Sequence, residues 1–297
     1  MEAIPKAGLV LAGGGARAAY QVGVVQALRE MLPDAKQNPF PIITGTSAGA
    51  INATALASHA DNFGEGVDRL LEVWRHFEPR HVYRSDLVGV LANSTRWFMG
   101  MFFGNVVRNE PISLLDNRPL QALLERRVLF DRIQANVESG ALDALAITCS
   151  GYTSGQSCSF FEAHDGLDDW KRSQRIGIKA KITVEHMMAS SAIPFLFPAH
   201  KLNRDQPDIV FVDVELTGVM NALELCMYAR GLDTWDQESG RLFLIGDVSE
   251  RDAILFEEVN VEVIGENDQL PGEILDRVRA AMHTKPRKRW TRTTVSG

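Results

Sequence analysis

Cysteine and long apolar runs are scarce in this sequence. The three cysteines among 297 residues, Cys149, Cys158 and Cys226, are odd in number and lack the spacing of a metal site. We therefore expect them to be buried thiols in a reducing compartment. No stretch approaches the ~18 consecutive apolar residues of a membrane span, and the first apolar run, residues 7–12, is too short for a secretory signal. These absences predict a cytoplasmic protein, with contact to one side of a membrane left open.

The charge balance excludes another class of function. A net charge of -7 and a pI of about 5.6 argue against a body that binds nucleic acid. Hydrophobic residues make up 45% of the chain and charged residues 23%, which is ordinary for a folded protein with a sizeable core. Internal repeats and low-complexity linkers are absent from the sequence, so we expect residues 1–297 to form one domain. Its motif-bearing core covers about 6–248, and an extension covers about 249–297.

The most informative pattern is G-x-S-x-G, in which Gly45 and Gly49 flank Ser47. A short apolar run (40–44) precedes it, and small residues that suit a helix (50–58) follow. Strand, sharp turn and helix are the context of a nucleophile elbow, where the strained turn exposes the serine hydroxyl. The serine would lie at a helix N-terminus, whose unpaired N–H groups favour developing negative charge. The pattern therefore predicts Ser47 as a nucleophile, although a plain Gly/Ser-rich turn has the same five residues.

A second glycine-rich turn joins a predicted strand (7–12) to a predicted helix (18–28). Its residues are Gly13, Gly14, Gly15, Ala16 and Arg17. With no side chains over the glycine amides, several N–H groups can converge on one oxygen atom. Acyl transfer to a serine needs such donors, because the loss of one typically costs about 2.7–4 kcal/mol. The turn is thus a predicted oxyanion hole; the alternative is a tight connection that only holds helix to sheet.

The same glycines also fit the dinucleotide-binding pattern G-x-G-x-x-G/A, through Gly13, Gly15 and Ala18. That pattern requires an acidic residue after the second strand, to bind the ribose. Here the second strand ends in Thr44 and Gly45, so a nicotinamide or flavin site is the weaker interpretation. We expect neither a cofactor nor a metal.

Both turns, together with a third segment, resemble the patatin-like phospholipase family. The third segment (189–199) begins Ala-Ser-Ser-Ala-Ile-Pro and is similar to the apolar A-S-x-A-x-P stretch that precedes the family's catalytic aspartate. The resemblance extends in order and spacing from about Lys6 to Asp213, with weaker support to about Val248. It implies a lipid ester as substrate, and a Ser–Asp dyad rather than a triad.

The dyad implied by the resemblance pairs Ser47 with a carboxylate that accepts its proton. The family's aspartate lies in D-G-[GA], and the single Asp-Gly of this chain, at Asp165, comes before the 189–199 segment and is out of order. Asp213 has the right position, but β-branched Val214 follows it where the family has glycine. Asp247, after another strand-like run, is the fallback base.

Two alternatives remain open. An α/β-hydrolase triad of Ser47, Asp213 and His283 satisfies the order Ser, Asp, His, since His283 is the single histidine after Asp213. The early elbow and the glycine run directly after the first strand count against this triad. The missing glycine after Asp213 also fits a catalytically impaired protein that binds lipid.

Alternating strand-like and helix-like segments predict an α/β fold with a mostly parallel central sheet and helices on both faces. The resemblance implies a patatin-like three-layer sandwich of this kind. Residues 63–77 carry apolar side chains at helical spacing, and Pro119 begins a short helix.

Two segments are candidates for peripheral membrane contact. The apolar cluster Trp97–Phe103 is flanked by Arg96 and Arg108, a combination that suits the membrane interface. The tail 285–292 carries five basic residues, which could bind anionic headgroups. A core segment or dimer contact for the cluster, and a solvated tail, are the alternatives. The oligomeric state is not predicted.

Overall fold

A ten-stranded sheet organises the fold. The computed structural model describes residues 7–83, 115–151, 154–193, 196–202, 209–211, 241–245 and 261–264. The strands are β1 Ala7–Leu11, β2 Ile42–Thr46, β3 Ala144–Gly151, β4 Ser157–Ala163, β5 Trp170–Arg172, β6 Arg175–Lys179, β7 His200–Lys201, β8 Ile209–Phe211, β9 Arg241–Ile245 and β10 Val261–Ile264. The helices are α1 Ala18–Met31, α2 Ala48–Ala57, α3 Phe63–Arg75, α4 Arg118–Arg127, α5 Asp131–Glu138 and α6 Val184–Ser190.

Strand order in the sheet is β10-β9-β1-β2-β3-β4-β6-β5. The strands from β10 to β3 are parallel, which confirms the predicted mostly parallel α/β sheet. Beyond them, β4 pairs antiparallel with β3, and β5 pairs antiparallel with β6. A short branch is added by β8, which pairs antiparallel with the end of β3 and with β7.

The centre of the sheet is covered on both faces, because every residue of β1 and β2 is buried. Successive side chains of a strand point to opposite faces, so complete burial requires a layer on each side. The core joins Leu9, Leu11 and Ile43 of these strands to Leu28 of α1 and Leu56 of α2. Two consecutive strand–helix units, β1–α1 and β2–α2, therefore form the rigid part that carries both glycine-rich turns.

The predicted amphipathic helix is present as α3. Phe63, Val67 and Leu70 are fully or almost fully buried, whereas Leu71 and Trp74 pack against the core while partly exposed. This stripe is core, as its spacing predicted. The helix begins at the N-cap Asn62, whose side chain accepts from the Glu65 amide at 3.4 Å.

Two of the three cysteines lie in the described part of the chain. Cys149 and Cys158 are buried thiols outside any disulfide, as predicted, and they lie opposite each other on β3 and β4. The consecutive strands β3 and β4 pair antiparallel and thus form a hairpin within a largely parallel sheet. Cys226 lies outside the described residues.

Candidate active site

Ser47 occupies a strained turn between β2 and α2. Its backbone has φ 55° and ψ -127°, and it is one of two non-glycine residues with positive φ in the described part of the chain. Such a conformation costs about 1–3 kcal/mol and persists only where the surroundings enforce it. The carbonyl of Ser47 accepts from the Ala50 amide at 2.9 Å, so the serine caps α2 from its N-terminal end. The strand, turn and helix expected of a nucleophile elbow are therefore present.

The two glycines of the elbow allow backbones to approach closely. A Cβ built on Gly45 would lie 2.5 Å from the Gly49 carbonyl oxygen. A Cβ on Gly49 would lie 2.1 Å from the carbonyl oxygen of Leu11 and 2.4 Å from that of Ala12. No side chain fits at either position. Gly49 thus brings the first turn of α2 against the end of β1, where the second glycine-rich turn begins.

A buried hydroxyl from a distant helix holds the elbow. The Ser47 amide donates to Ser190 Oγ at 2.8 Å, and Ser190 Oγ donates to the Thr148 carbonyl at 2.7 Å. Ser190 is completely buried at the end of α6. Because Thr148 pairs with Thr46 in the sheet, this hydroxyl ties the elbow to the neighbouring strand. Ser190 belongs to the 189–199 segment, but nothing in the sequence assigned it this contact.

The glycine-rich turn from Gly13 to Arg17 follows β1 directly. Gly15 has φ 57°, which favours glycine, and residues 15–17 form a single exposed 3-10 turn before α1. The Arg17 amide donates to the Gly14 carbonyl at 3.2 Å, so this amide is engaged inside the turn. The turn is thus adjacent to the elbow at the carboxyl ends of β1 and β2, through the contact of Gly49 with Ala12.

The candidate bases lie outside the described residues: Asp213, Asp247 and His283. The strand before Asp213 is described, and β8 ends at Phe211, paired with Ser150. The strand before Asp247 is also described, and β9 ends at Ile245, paired with Leu11. Among the described residues, no histidine forms a hydrogen bond with Ser47.

The out-of-order Asp165 is far from the elbow. It follows β4, whose last residue Ala163 pairs with Ala144 at the start of β3. The elbow lies near the other end of β3, where Thr148 pairs with Thr46. Asp165 is exposed and pairs with Lys179 at 3.5 Å. Asp165 therefore lies near the start of β3, whereas Ser47 lies near its end.

Two titratable groups near α6, one buried and one half-buried, have perturbed pKa values. Burial raises the pKa of the Cys149 thiol well above its ordinary range, and neighbouring Cys158 raises it further. A protonated thiol is a poor nucleophile, so Cys149 is not a candidate nucleophile. Burial lowers the pKa of His186 to about 4, and its Nδ1 accepts from the Thr183 amide at 3.2 Å. His186 is therefore a neutral cap of α6.

The two segments predicted to contact a membrane, the apolar cluster Trp97–Phe103 and the basic tail 285–292, lie outside the described ranges. Within those ranges, no group of three or more His, Cys, Asp and Glu side chains is arranged to hold a metal ion. None of the helices in those ranges combines the length and apolar character that crossing a bilayer requires.

One protein family and several solved structures are similar to this chain. The sequence profile of the family described as Patatin-like phospholipase matches residues 9–214. No curated protein matches the chain. Among solved structures, VipD from Legionella pneumophila is similar with a TM-score of 0.41 and 14% identity, over 94% of this chain and 65% of that one. A chain of the heterodimeric ExoU–SpcU complex of the type III secretion system of Pseudomonas aeruginosa is similar with a TM-score of 0.37 and 17% identity, over 94% and 50%. The present chain thus spans between half and two thirds of the length of these relatives.

Proposed function

The chain belongs to the patatin-like phospholipase family, a family of lipid hydrolases, and on that premise we propose that it is a serine acyl hydrolase acting on lipid esters. The observation that carries the proposal is the strained Ser47, held at the N-terminus of α2 beside the glycine-rich turn. Strained backbone conformations cluster at functional sites, and the turn of a nucleophile elbow is one of them. The oxyanion would bind to the amides of Gly13–Ala16, since the Arg17 amide is engaged within the turn.

The proposed reaction has two steps. Ser47 Oγ attacks the ester carbonyl carbon while Asp213 accepts the hydroxyl proton, and the amides of the glycine-rich turn bind the oxyanion of the tetrahedral intermediate. The C–O bond to the leaving alcohol then breaks, and Asp213 returns the proton to that alcohol. Water attacks the acyl-enzyme by the same route, releasing the fatty acid and restoring the Ser47 hydroxyl.

Sheet topology supports Asp213 as the base. At Ser150, β4 pairs with one side of β3 and β8 pairs with the other. That other side is the one that β2 pairs with from Ala144 to Thr148. Phe211 is opposite Ser150 and Thr46 is opposite Thr148, a separation of about 7 Å along β3. Because β8 runs antiparallel to β3, its chain direction at Phe211 leads toward Thr46, and Asp213 follows two residues later in the sequence.

The fallback base is less well supported. The strand before Asp247, β9, is separated from β2 by β1. Two strand spacings amount to about 9–10 Å, so Asp247 follows a strand that is not adjacent to the elbow. Between the two carboxylates, strand order favours Asp213. The pairing of β9 and β10 into the same sheet as β1 also supports a single domain that extends at least as far as β10.

Membrane contact completes the proposal, since a lipid substrate is reached at a surface. The cluster Trp97–Phe103 would insert its apolar side chains, and the tail 285–292 would attract anionic headgroups. This part of the proposal depends on sequence alone.

Covalent labelling tests the nucleophile. A fluorophosphonate probe should label the wild-type chain and fail to label Ser47→Ala, which should also lose ester hydrolysis. Labelling of another serine in the alanine variant would remove Ser47 from the mechanism. A chain that binds lipid vesicles but neither reacts with the probe nor hydrolyses esters would be the catalytically impaired alternative, which Val214 after Asp213 leaves open.

The base is tested by paired substitutions. Asp213→Asn should lower kcat by several orders of magnitude, whereas His283→Ala should keep it within a few-fold, because only the base takes part in proton transfer. A large loss in His283→Ala would assign the chain to the histidine-using class. Normal activity in Asp213→Asn together with inactive Asp247→Asn would reverse the choice of carboxylate.

A further inference from the structure

Two buried side chains and one partly exposed side chain form a hydrogen-bonded chain behind the glycine-rich turn. Trp74 Nε1 of α3 donates to Asn52 Oδ1 at 2.8 Å, and Asn52 Nδ2 of α2 donates to Gln21 Oε1 at 3.0 Å. Gln21 Nε2 of α1 donates to the Ala12 carbonyl at 2.7 Å. A second bond from Asn52 Nδ2 reaches the Ala18 carbonyl at 3.1 Å. Asn52 and Gln21 are almost completely buried.

The two backbone carbonyls that this network holds are those that flank the turn. Ala12 directly precedes Gly13, and Ala18 directly follows Arg17. A five-residue turn with three glycines has much conformational freedom of its own. Hydrogen bonds at both of its ends restrict that freedom without placing any side chain over its amides.

The network has a single direction. The indole N–H of Trp74 can only donate, so the Asn52 oxygen must face it and the Asn52 amide nitrogen must face Ala18 and Gln21. The Gln21 oxygen then accepts, which directs its nitrogen to Ala12. Each member thus fixes the orientation of the next, and buried networks of this kind are rigid when every group is satisfied.

Helix α2 connects this network to the nucleophile. Ser47 caps the N-terminus of α2, and Asn52 lies in the second turn of the same helix. One rigid helix therefore fixes Ser47 directly and the glycine-rich turn through Asn52. We propose that the Gln21–Asn52–Trp74 network is a positioning device that sets the distance between the oxyanion-binding amides and Ser47. The proposal rests on the function proposed above.

Substitutions that remove hydrogen bonds while keeping volume test this role. Gln21→Met and Asn52→Leu should lower kcat for a short-chain nitrophenyl ester by about 10- to 100-fold, with KM within about twofold, because misplaced donors affect the transition state alone. The inhibition constant of a trifluoromethyl ketone, which forms a tetrahedral oxyanion adduct, should rise in proportion to the loss in kcat. Trp74→Phe, a milder change at the outer end of the network, should give a smaller loss of the same kind.

The matched control is Asn136→Leu. Asn136 is also buried, and its Nδ2 donates at 2.8 Å to the carbonyl of Ala57, at the far end of α2. Asn136→Leu should lower the urea midpoint of unfolding about as much as Gln21→Met and Asn52→Leu do, while kcat and the inhibition constant stay at wild-type values. If the folded Gln21 and Trp74 variants behave like this control, the positioning role is refuted while the proposed function stands. A wild-type chain that neither hydrolyses the ester nor reacts with a fluorophosphonate would refute both.

Discussion

Replacing Ser190 by alanine removes the hydroxyl that joins the elbow to β3. The change leaves the Ser47 amide and the Thr148 carbonyl without their partner at a completely buried position. Each unsatisfied group costs about 1–3 kcal/mol, so the loss of two partners should lower the free energy of unfolding by about 2–6 kcal/mol. The cavity itself is small, because only one oxygen atom is removed.

The effect on activity follows from the strain at Ser47. With φ 55°, the residue has a conformation that relaxes when its amide is released. A displacement of the nucleophile by a fraction of an ångström to 1 Å should lower kcat by about 10- to 100-fold. Because substrate binding in the ground state does not depend on Ser47 Oγ, KM should change little.

Urea denaturation and ester hydrolysis measure the two effects separately. Ser58→Ala is the control, since Ser58 is also completely buried but its hydroxyl donates at 2.9 Å to Ala55 within its own helical turn. It should cost about 0.5–1.5 kcal/mol and leave kcat unchanged. Wild-type kcat in Ser190→Ala would refute the reasoning, whatever happened to the stability.

Gly49→Ala forces α2 away from β1, so it should lower the free energy of unfolding by about 1–3 kcal/mol and kcat by about 100-fold. The control is Gly23→Ala, where a Cβ meets no heavy atom within 4 Å and should raise the free energy of unfolding by about 0.5–1 kcal/mol. Equal effects of the two substitutions would contradict the close approach of α2 and β1. Burial lowers the pKa of His186 to about 4, so as the pH falls the imidazole is protonated in the unfolded chain before it is protonated in the folded one. The free energy of unfolding should therefore fall by up to about 3 kcal/mol between pH 6.5 and 4. In urea titrations at pH 7.5 and 4.5, His186→Gln should therefore lose less stability than the wild type, and an identical loss would contradict the assignment. Vesicle binding should lose its salt-sensitive part on deletion of 285–297 and its salt-insensitive part on substitution of Trp97 and Phe102 within the apolar cluster; a chain that ignores all vesicles while hydrolysing soluble esters would refute the membrane contact.

The elbow and the glycine-rich turn were predictable because they are local. In both, the glycines stand within a few residues of one another, at points where a side chain would collide with backbone or where φ is positive. The first strand was predictable from its apolar run, and α3 was predictable from the helical spacing of its apolar residues.

The parts that the sequence did not reveal depend on distant contacts. Ser190 is 143 residues from Ser47, and only tertiary packing brings them together. The helix that carries it, α6, has seven residues and begins with a capping box in which His186 takes the place usually held by Glu or Gln. The antiparallel turn from β3 to β4 also escaped prediction, because a buried strand has the same apolar pattern in either direction.

The position of β1 has a consequence for synthesis of the chain. Its edge opposite β2 is covered by β9, which begins at Arg241, so 230 residues separate Leu11 from the start of its second neighbour. At about 5–20 residues per second, translation leaves this edge open for roughly 10–50 s. An uncovered strand with Leu9, Val10 and Leu11 is a template for pairing with other chains. Nascent chains that end before β9 should therefore aggregate or engage a holding chaperone, although both glycine-rich turns have already been synthesised.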